Sequence, residues 1–339
     1  MHVRFLLPTL LAAAGVVLAM VASAPVAPAG PAASPASCWV RLNDDPTDYP
    51  SVQAAVDAST HPTDVVKVAG YCTGVGPRAG LTQTVYLSKT LTLQGGYTPT
   101  NWTVPDPQAH PTTLDALGEG RVLTIYGQIE PHMAGLRLTG GDATKAGFDP
   151  YGHNYGGGLY AFEAQVTISD CLFYGNTANR GGGVFTYGGH LTMYNSTVTG
   201  NSAVFIGGGL LMYEGAGLLE GNTLISNTAG TGAGAYFGSE AVTLTHNSFL
   251  SNTALYDGGG VIVEIYGGHS KLVGNTVAGN RADWNGGGLY FGEGVSGDSP
   301  SSEMPMGCCG QERCPRRDVA AKNLLFAGNL IARNWARHH

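Results

Sequence analysis

Apolar and polar positions between residues 156 and 334 repeat as columns. Aligned on Asn176, Asn201, Asn227, Asn252, Asn280 and Asn334, the chain places Phe173, Val198, Leu224, Phe249, Val277 and Ile331 three residues before each asparagine. Eight residues before it stand Ile168, Met193, Leu219, Leu244, Leu272 and Phe326. Glycine triplets run into apolar pairs ahead of these columns, at 156–160, 181–185, 207–211, 232–236 (with Ala233 in the middle position), 258–262 and 286–290. The period is 25 to 28 residues, with one long insertion in the last unit. A fixed period of this size predicts a stacked solenoid. Val166-Thr167-Ile168 and Val242-Thr243-Leu244 alternate with period 2, and Gly, Ser and Asn separate the apolar runs. These features predict strands, one coil per unit. A single coil cannot bury its apolar side, whereas coils stacked at roughly 4.8 Å share one core.

The asparagine column adds a specific expectation. A carboxamide can bond its copy in the next coil, so Asn176, Asn201, Asn227, Asn252, Asn280 and Asn334 are predicted to form a structural ladder, with side chains toward the turn interior. A second column, Asn222, Asn247, Asn275 and Asn329, replaces Ser196 and Cys171 of the earlier coils. Asparagines that recur in every coil are turn-formers rather than ligands.

The 52 glycines among 339 residues and the 12% of charged residues shift the composition toward turns and stacked sheet, while 43% hydrophobic residues supply a core. With a net charge of -7 and no basic stripe, nucleic acid is not an expected partner. Arg4, the apolar stretch from Phe5 to Val21 and Ala22-Ser23-Ala24 have the form of an export signal over residues 1–24, followed by a Pro/Ala-rich linker over 25–37. The expected location is therefore secreted or at the cell surface, with no membrane span once the signal is removed. Disulfides persist in such a compartment, and Cys38 and Cys72 flank the first predicted strand region as a candidate pair. Cys171 falls in an inward column and reads as a buried free thiol. Cys308, Cys309 and Cys314 lack the paired spacing of a zinc site. No metal and no cofactor is expected.

Val52, Ala55 and Val56 share one face of a predicted short helix, ahead of an apolar run from Val65 to Ala69. The stretch from Asp48 to Ala58 and then Asp64 to Gly70 resembles the opening of pectin-lyase-like β-helices, which implies that the helix caps the end of the first coil. Ser88 to Tyr97 and Arg121 to Ile125 look like the next coils. The later glycine triplets and Phe-x-x-Asn strings are similar to repeats of polymorphic outer-membrane proteins and related bacterial surface β-helices. The implied fold is all-β, a right-handed parallel β-helix solenoid with a short N-terminal capping helix. Its implied parts are a cap and first coils over 38–155, regular repeats over 156–292, an atypical insertion over 293–322 and a last partial coil over 323–339. Such motifs specify fold rather than activity, because β-helices host lyases, hydrolases and adhesins alike.

A β-helix lyase or hydrolase needs carboxylates gathered on neighbouring coils with a base beside them. Here the repeat acids are mostly single in their columns, and Arg180, Lys271 and Arg281 are the only basic Lys or Arg residues between 146 and 300. No catalytic residue is assigned. Glu163, Glu214 and Glu293 share a column, with Glu240 and Glu264 one position to either side, forming a loose acidic ridge at a turn. A further column, Tyr160, Phe185, Leu211, Tyr236, Ile262 and Tyr290, sits between two apolar columns, and alternation cannot point all three inward. The aromatic column is therefore expected to face outward, exposed, with Phe162, Tyr187 and Tyr213. Tyr160, Phe185, Tyr187, Tyr213 and Tyr236 are the candidate binding residues. The expectation is a non-catalytic repeat protein for surface attachment, contacting polysaccharide or another surface protein; the alternative is a polysaccharide lyase or glycoside hydrolase of the same fold.

Overall fold

Each repeat breaks into four short strands at its glycine- and asparagine-bearing corners. The first full coil shows them at Leu159–Phe162, Gln165–Ser169, Leu172–Tyr174 and Thr177–Arg180. Each pairs in parallel with its counterpart one coil on, Leu159 opposite Val184, Gln165 opposite His190, Leu172 opposite Thr197 and Thr177 opposite Ser202. The computed structural model describes residues 37–147, 153–239, 241–265, 269–293 and 324–336. The export signal, all but the last residue of the linker, Glu240 and nearly all of the 293–322 insertion lie outside the described residues. Among those residues the strands form three sheets, of 18, 9 and 6 strands. The chain is an all-β, right-handed parallel β-helix, the hand expected of parallel crossover connections.

The main core fills the space between the sheets. Leu159, Val184, Leu210, Ala235 and Val261 of the nine-stranded sheet meet Ile168, Met193, Leu219, Leu244 and Leu272 and the Phe173 to Val277 column of the 18-stranded sheet. Both columns flanking the aromatic one point inward, since Ala161, Met212, Phe237 and Val263 belong to the same core.

The triplet Gly207-Gly208-Gly209 shows why three glycines recur. Gly207 has φ +71°, where L side chains are strained. A Cβ at Gly208 would lie 2.3 Å from Thr228 O, and one at Gly209 would lie 2.4 Å from Gly234 O and 2.9 Å from Asn227 Nδ2. The second and third glycines are thus fixed by the closeness of the next coil.

The asparagine ladder runs through the turn interior. Asn176 Nδ2 donates to Asn201 Oδ1 at 3.0 Å, Asn201 to Asn227 at 3.1 Å, Asn227 to Asn252 at 3.1 Å, Asn252 to Asn280 at 2.9 Å and Asn280 to Asn334 at 3.0 Å. Asn176 to Asn280 are fully buried and Asn334 is half-buried. Each Nδ2 also reaches a backbone carbonyl, as Asn227 does Val198 O at 2.9 Å. The second ladder starts where Cys171 N donates to Ser196 Oγ and continues through Asn222, Asn247, Asn275 and Asn329.

The N-terminal end is built differently. Strand β1 (Cys38–Leu42) pairs antiparallel with β2 (Val65–Thr73), and Cys38 is disulfide-bonded to Cys72. Helix α1 (Val52–Ala58) starts at Ser51, whose Oγ accepts from Ala54 N at 3.1 Å, and buries Val52, Ala55 and Val56 against the first coil. Among the described residues no helix is long and apolar enough to cross a membrane.

Candidate functional site

The outer face of the nine-stranded sheet carries the sequence's candidate binding residues. In-register pairing puts Tyr160, Phe185, Leu211, Tyr236, Ile262 and Tyr290 in one column, and Phe162, Tyr187, Tyr213, Gly238 and Glu264 in a second. Both columns point away from the main core.

Their expected exposure requires correction. Tyr160, Phe185 and Tyr236 are buried at 0%, 2% and 4% exposure, in a second apolar cluster with Phe162, Leu211 and Ile262. The cause is a second layer. Tyr155 and Ile206, which stand just before their glycine triplets, pack over this cluster, and the Tyr155 ring lies 4.8 Å from that of Phe185. Tyr160 and Phe185 also stack on each other at 5.4 Å. The buried Arg121 guanidinium sits 5.1 Å over the Tyr160 ring and donates through Nε to Tyr155 O at 2.7 Å, which adds a cation–π contact to the cluster. Of the five candidates, only Tyr187 and Tyr213 keep part of their surface in solvent.

These two belong to a ladder of rings. Tyr126 stacks on Phe162 at 5.1 Å and Phe162 on Tyr187 at 5.2 Å, nearly parallel in both cases, while Tyr213 meets Tyr236 edge-on at 5.6 Å. Carboxylates border the rings. Tyr187 Oη donates to Glu214 Oε1 at 2.9 Å, and Tyr236 Oη donates to Glu264 Oε2 at 2.5 Å. Glu163 and Glu214 stand exposed at corners with left-handed backbone, φ +57° at each, and Glu293 ends the strand Leu289–Glu293. The surface therefore offers aromatic faces beside hydrogen-bond acceptors.

Other titratable groups are placed apart from this face. Burial pushes the Cys171 thiol up to about 12, and Sγ donates to Met133 O. Burial also lowers the pKa of His132, whose Nε2 lies 3.1 Å from Ser169 Oγ. Among the described residues no three His, Cys, Asp or Glu side chains are grouped to hold a metal ion; Cys308, Cys309 and Cys314 lie outside those residues.

One surface feature was not read from the sequence. Between the ladder asparagine and the next glycine triplet, Val204 and Phe205 stand 55% and 48% exposed, and Leu255 and Tyr256 stand 59% and 41% exposed. Trp284, one coil beyond, meets Tyr256 edge-on at 5.3 Å. The available signal was the apolar pair at a corner where the intervening coil has Gly230-Thr231.

A family model described as a right-handed beta helix region matches residues 132–296. No curated protein and no solved structure matches the chain.

Proposed function

We propose that this chain is an exported, non-catalytic β-helix that binds carbohydrate on the outer face of its nine-stranded sheet, centred on Tyr187, Tyr213 and Glu214. The single observation behind this reading is the partly exposed Tyr187 ring, stacked on Phe162 and held by the Glu214 carboxylate. A ring fixed on one side by a parallel neighbour presents its remaining surface to a sugar's C–H face at low entropic cost. The adjoining carboxylates accept from hydroxyl groups. Glu214 and Glu264 each receive a tyrosine hydroxyl, an arrangement suited to orienting rings rather than to paired acid and base work. Export rests on the pattern of residues 1–24.

The test is glycan-array binding of the full chain beside the Tyr187→Ala/Tyr213→Ala variant, with reducing-end and unsaturated-product release followed in parallel. Glycan binding that falls in the folded double variant, without product release, supports the reading. Unchanged binding moves the site elsewhere, and steady release of product replaces binding by hydrolysis or elimination.

A second reading, contact with another surface protein, is favoured by the exposed ridge of Val204, Phe205, Leu255 and Tyr256, since exposed apolar patches mark interaction surfaces. Replacing Phe205 and Tyr256 by Ser is expected to abolish attachment to cells in that case, while glycan binding persists.

A further inference from the structure

We infer a second binding site, in the groove between the 98–110 excursion and the coil corner facing it, that accepts one ring of an uncharged glycan. The inference rests on the carbohydrate reading above but uses none of its residues.

The wall of the groove is fixed. The Tyr97 and Trp102 rings stack at 5.7 Å, and the Arg41 guanidinium lies 4.8 Å over Trp102. Lys67, buried at 8% exposure, donates to Trp102 O at 2.8 Å and to Asp44 Oδ1 at 2.7 Å, and lies 5.4 Å over the Tyr97 ring. Asn101 Oδ1 accepts from Thr103 N and Val104 N, and Asp106 Oδ1 from Gln108 N and Ala109 N. Prolines at 99, 105, 107 and 111 restrict the backbone further. This excursion is thus held in place before any ligand arrives.

Opposite it, Arg137, Leu172 and Thr197 form one register column on three successive coils. Asp170 and Asn195 stand at the adjoining corner, where the backbone is left-handed, with φ +53° and +47°. At the same corner other coils carry Gly135, Gly221, His246 and Gly274. Polar side chains thus replace glycine in two adjacent coils that face the wall. The groove has a volume of about 200 Å³ and opens to solvent, with Pro107 and Leu172 supplying apolar surface, Arg137 and Thr197 half-buried polar groups, and Gln108, Asp170 and Asn195 exposed ones.

Among the described residues, the side chains of Gln108, Arg137, Asp170, Asn195 and Thr197 make no hydrogen bond to another protein group, and Arg137 and Asp170 form no ion pair with each other. Donors and acceptors are both present, and the single positive and single negative charge offset one another. Convergent polar groups beside apolar surface are a feature of ligand sites. A sugar ring matches this lining, because its hydroxyls both donate and accept and its C–H face packs on Pro107 and Leu172.

The test uses the Asp170→Gly/Asn195→Gly variant of the full chain, which keeps the fold because glycine occupies this corner in neighbouring coils. On an array of uncharged glycans the wild type is expected to bind at least one, and the glycine variant to bind it about tenfold more weakly at unchanged melting temperature, as loss of two hydrogen bonds implies. The Tyr187→Ala/Tyr213→Ala variant is expected to keep that binding. Wild type that binds no uncharged glycan, or a folded glycine variant that binds as wild type does, overturns the inference. Loss of binding to that glycan confined to the tyrosine variant overturns the inference; loss confined to the glycine variant supports it, and the tyrosine face is judged separately, on the glycans whose binding falls in the tyrosine variant alone.

Discussion

From Cys38 to Ala146 the coils are joined by contacts that occur once, such as the Cys38–Cys72 bridge, the capping helix, the Arg41–Asp48 and Arg78–Asp57 ion pairs and the Lys67–Trp102 clasp. From Gly156 to Asn334 they are joined by contacts that recur in every coil. The handover is visible at Asn176, which donates to Leu138 O and accepts from Gly141 N, because no asparagine stands at that corner one coil earlier. Repetition suits the middle of a stack, where each coil has a neighbour on both sides. An end has one neighbour, so it needs a cap of its own.

The largest loss of stability is expected at Asn227, in the repeated region. Replacing it by Ala leaves Asn201 N and one Asn201 amide hydrogen without a partner inside the core and removes one of the bonds to Val198 O, at a cost of about 2–5 kcal/mol. Thr228→Ala next door, exposed, is expected to stay within about 0.5 kcal/mol. Equal losses in urea titrations of the two variants would remove the ladder from its place as the main repeated contact.

At the capped end the largest effect is expected from Cys38→Ala/Cys72→Ala. The bridge spans a sequence separation of 34, so its loss releases about 3–4 kcal/mol of constraint on the unfolded chain. Hydrogen exchange should show the loss concentrated in β1, α1 and β2. Uniform loss along the solenoid would mean that the two regions unfold as one unit.

Asp64 sharpens the contrast through pH. Hydrogen bonds from His61 N, and then from Asn43 Nδ2 and Thr60 N, hold its carboxyl well below the usual range. The folded value lies below the unfolded one, so the stabilisation is complete above about pH 4 and is lost as pH falls through the folded value. Asp64→Asn is expected to cost about 1–2 kcal/mol near neutrality and to flatten the acid limb of the melting curve. An acid limb identical to wild type would refute this assignment.

The smallest expected effect is at Cys171. Buried in the repeat core with its thiol pushed up to about 12, it should resist alkylation in the folded protein, as peptide mapping after brief iodoacetamide treatment can show. Rapid labelling would mean that the early coils open locally.

The ladder could be read from the sequence because Asn176 to Asn334 must occupy the same point of every coil, and a requirement repeated in space repeats in the chain. The inward columns and the helix at Val52, Ala55 and Val56 followed for the same reason, since period alone fixes which side faces the core. Tyr160, Phe185 and Tyr236 were read correctly as pointing away from that core but incorrectly as exposed. Alternation reports which face of a sheet a residue is on; it does not report that Tyr155 and Ile206 cover that face. The groove at Asp170 and Asn195 left no periodic trace, because its wall at 98–110 occurs once.

The ladder also has a direction. From Asn201 onward, each Oδ1 receives both the backbone N–H and the Nδ2 of the asparagine one coil earlier, as Asn227 Oδ1 does from Asn201 at 3.0 Å and 3.1 Å. Rotating one carboxamide by half a turn would set its NH2 against a backbone N–H, so no member can reverse alone. Every side-chain dipole in the row is aligned by the main chain, and aligned hydrogen bonds polarise one another. The interior of this solenoid therefore carries a polar wire whose sense is the sense of the polypeptide itself.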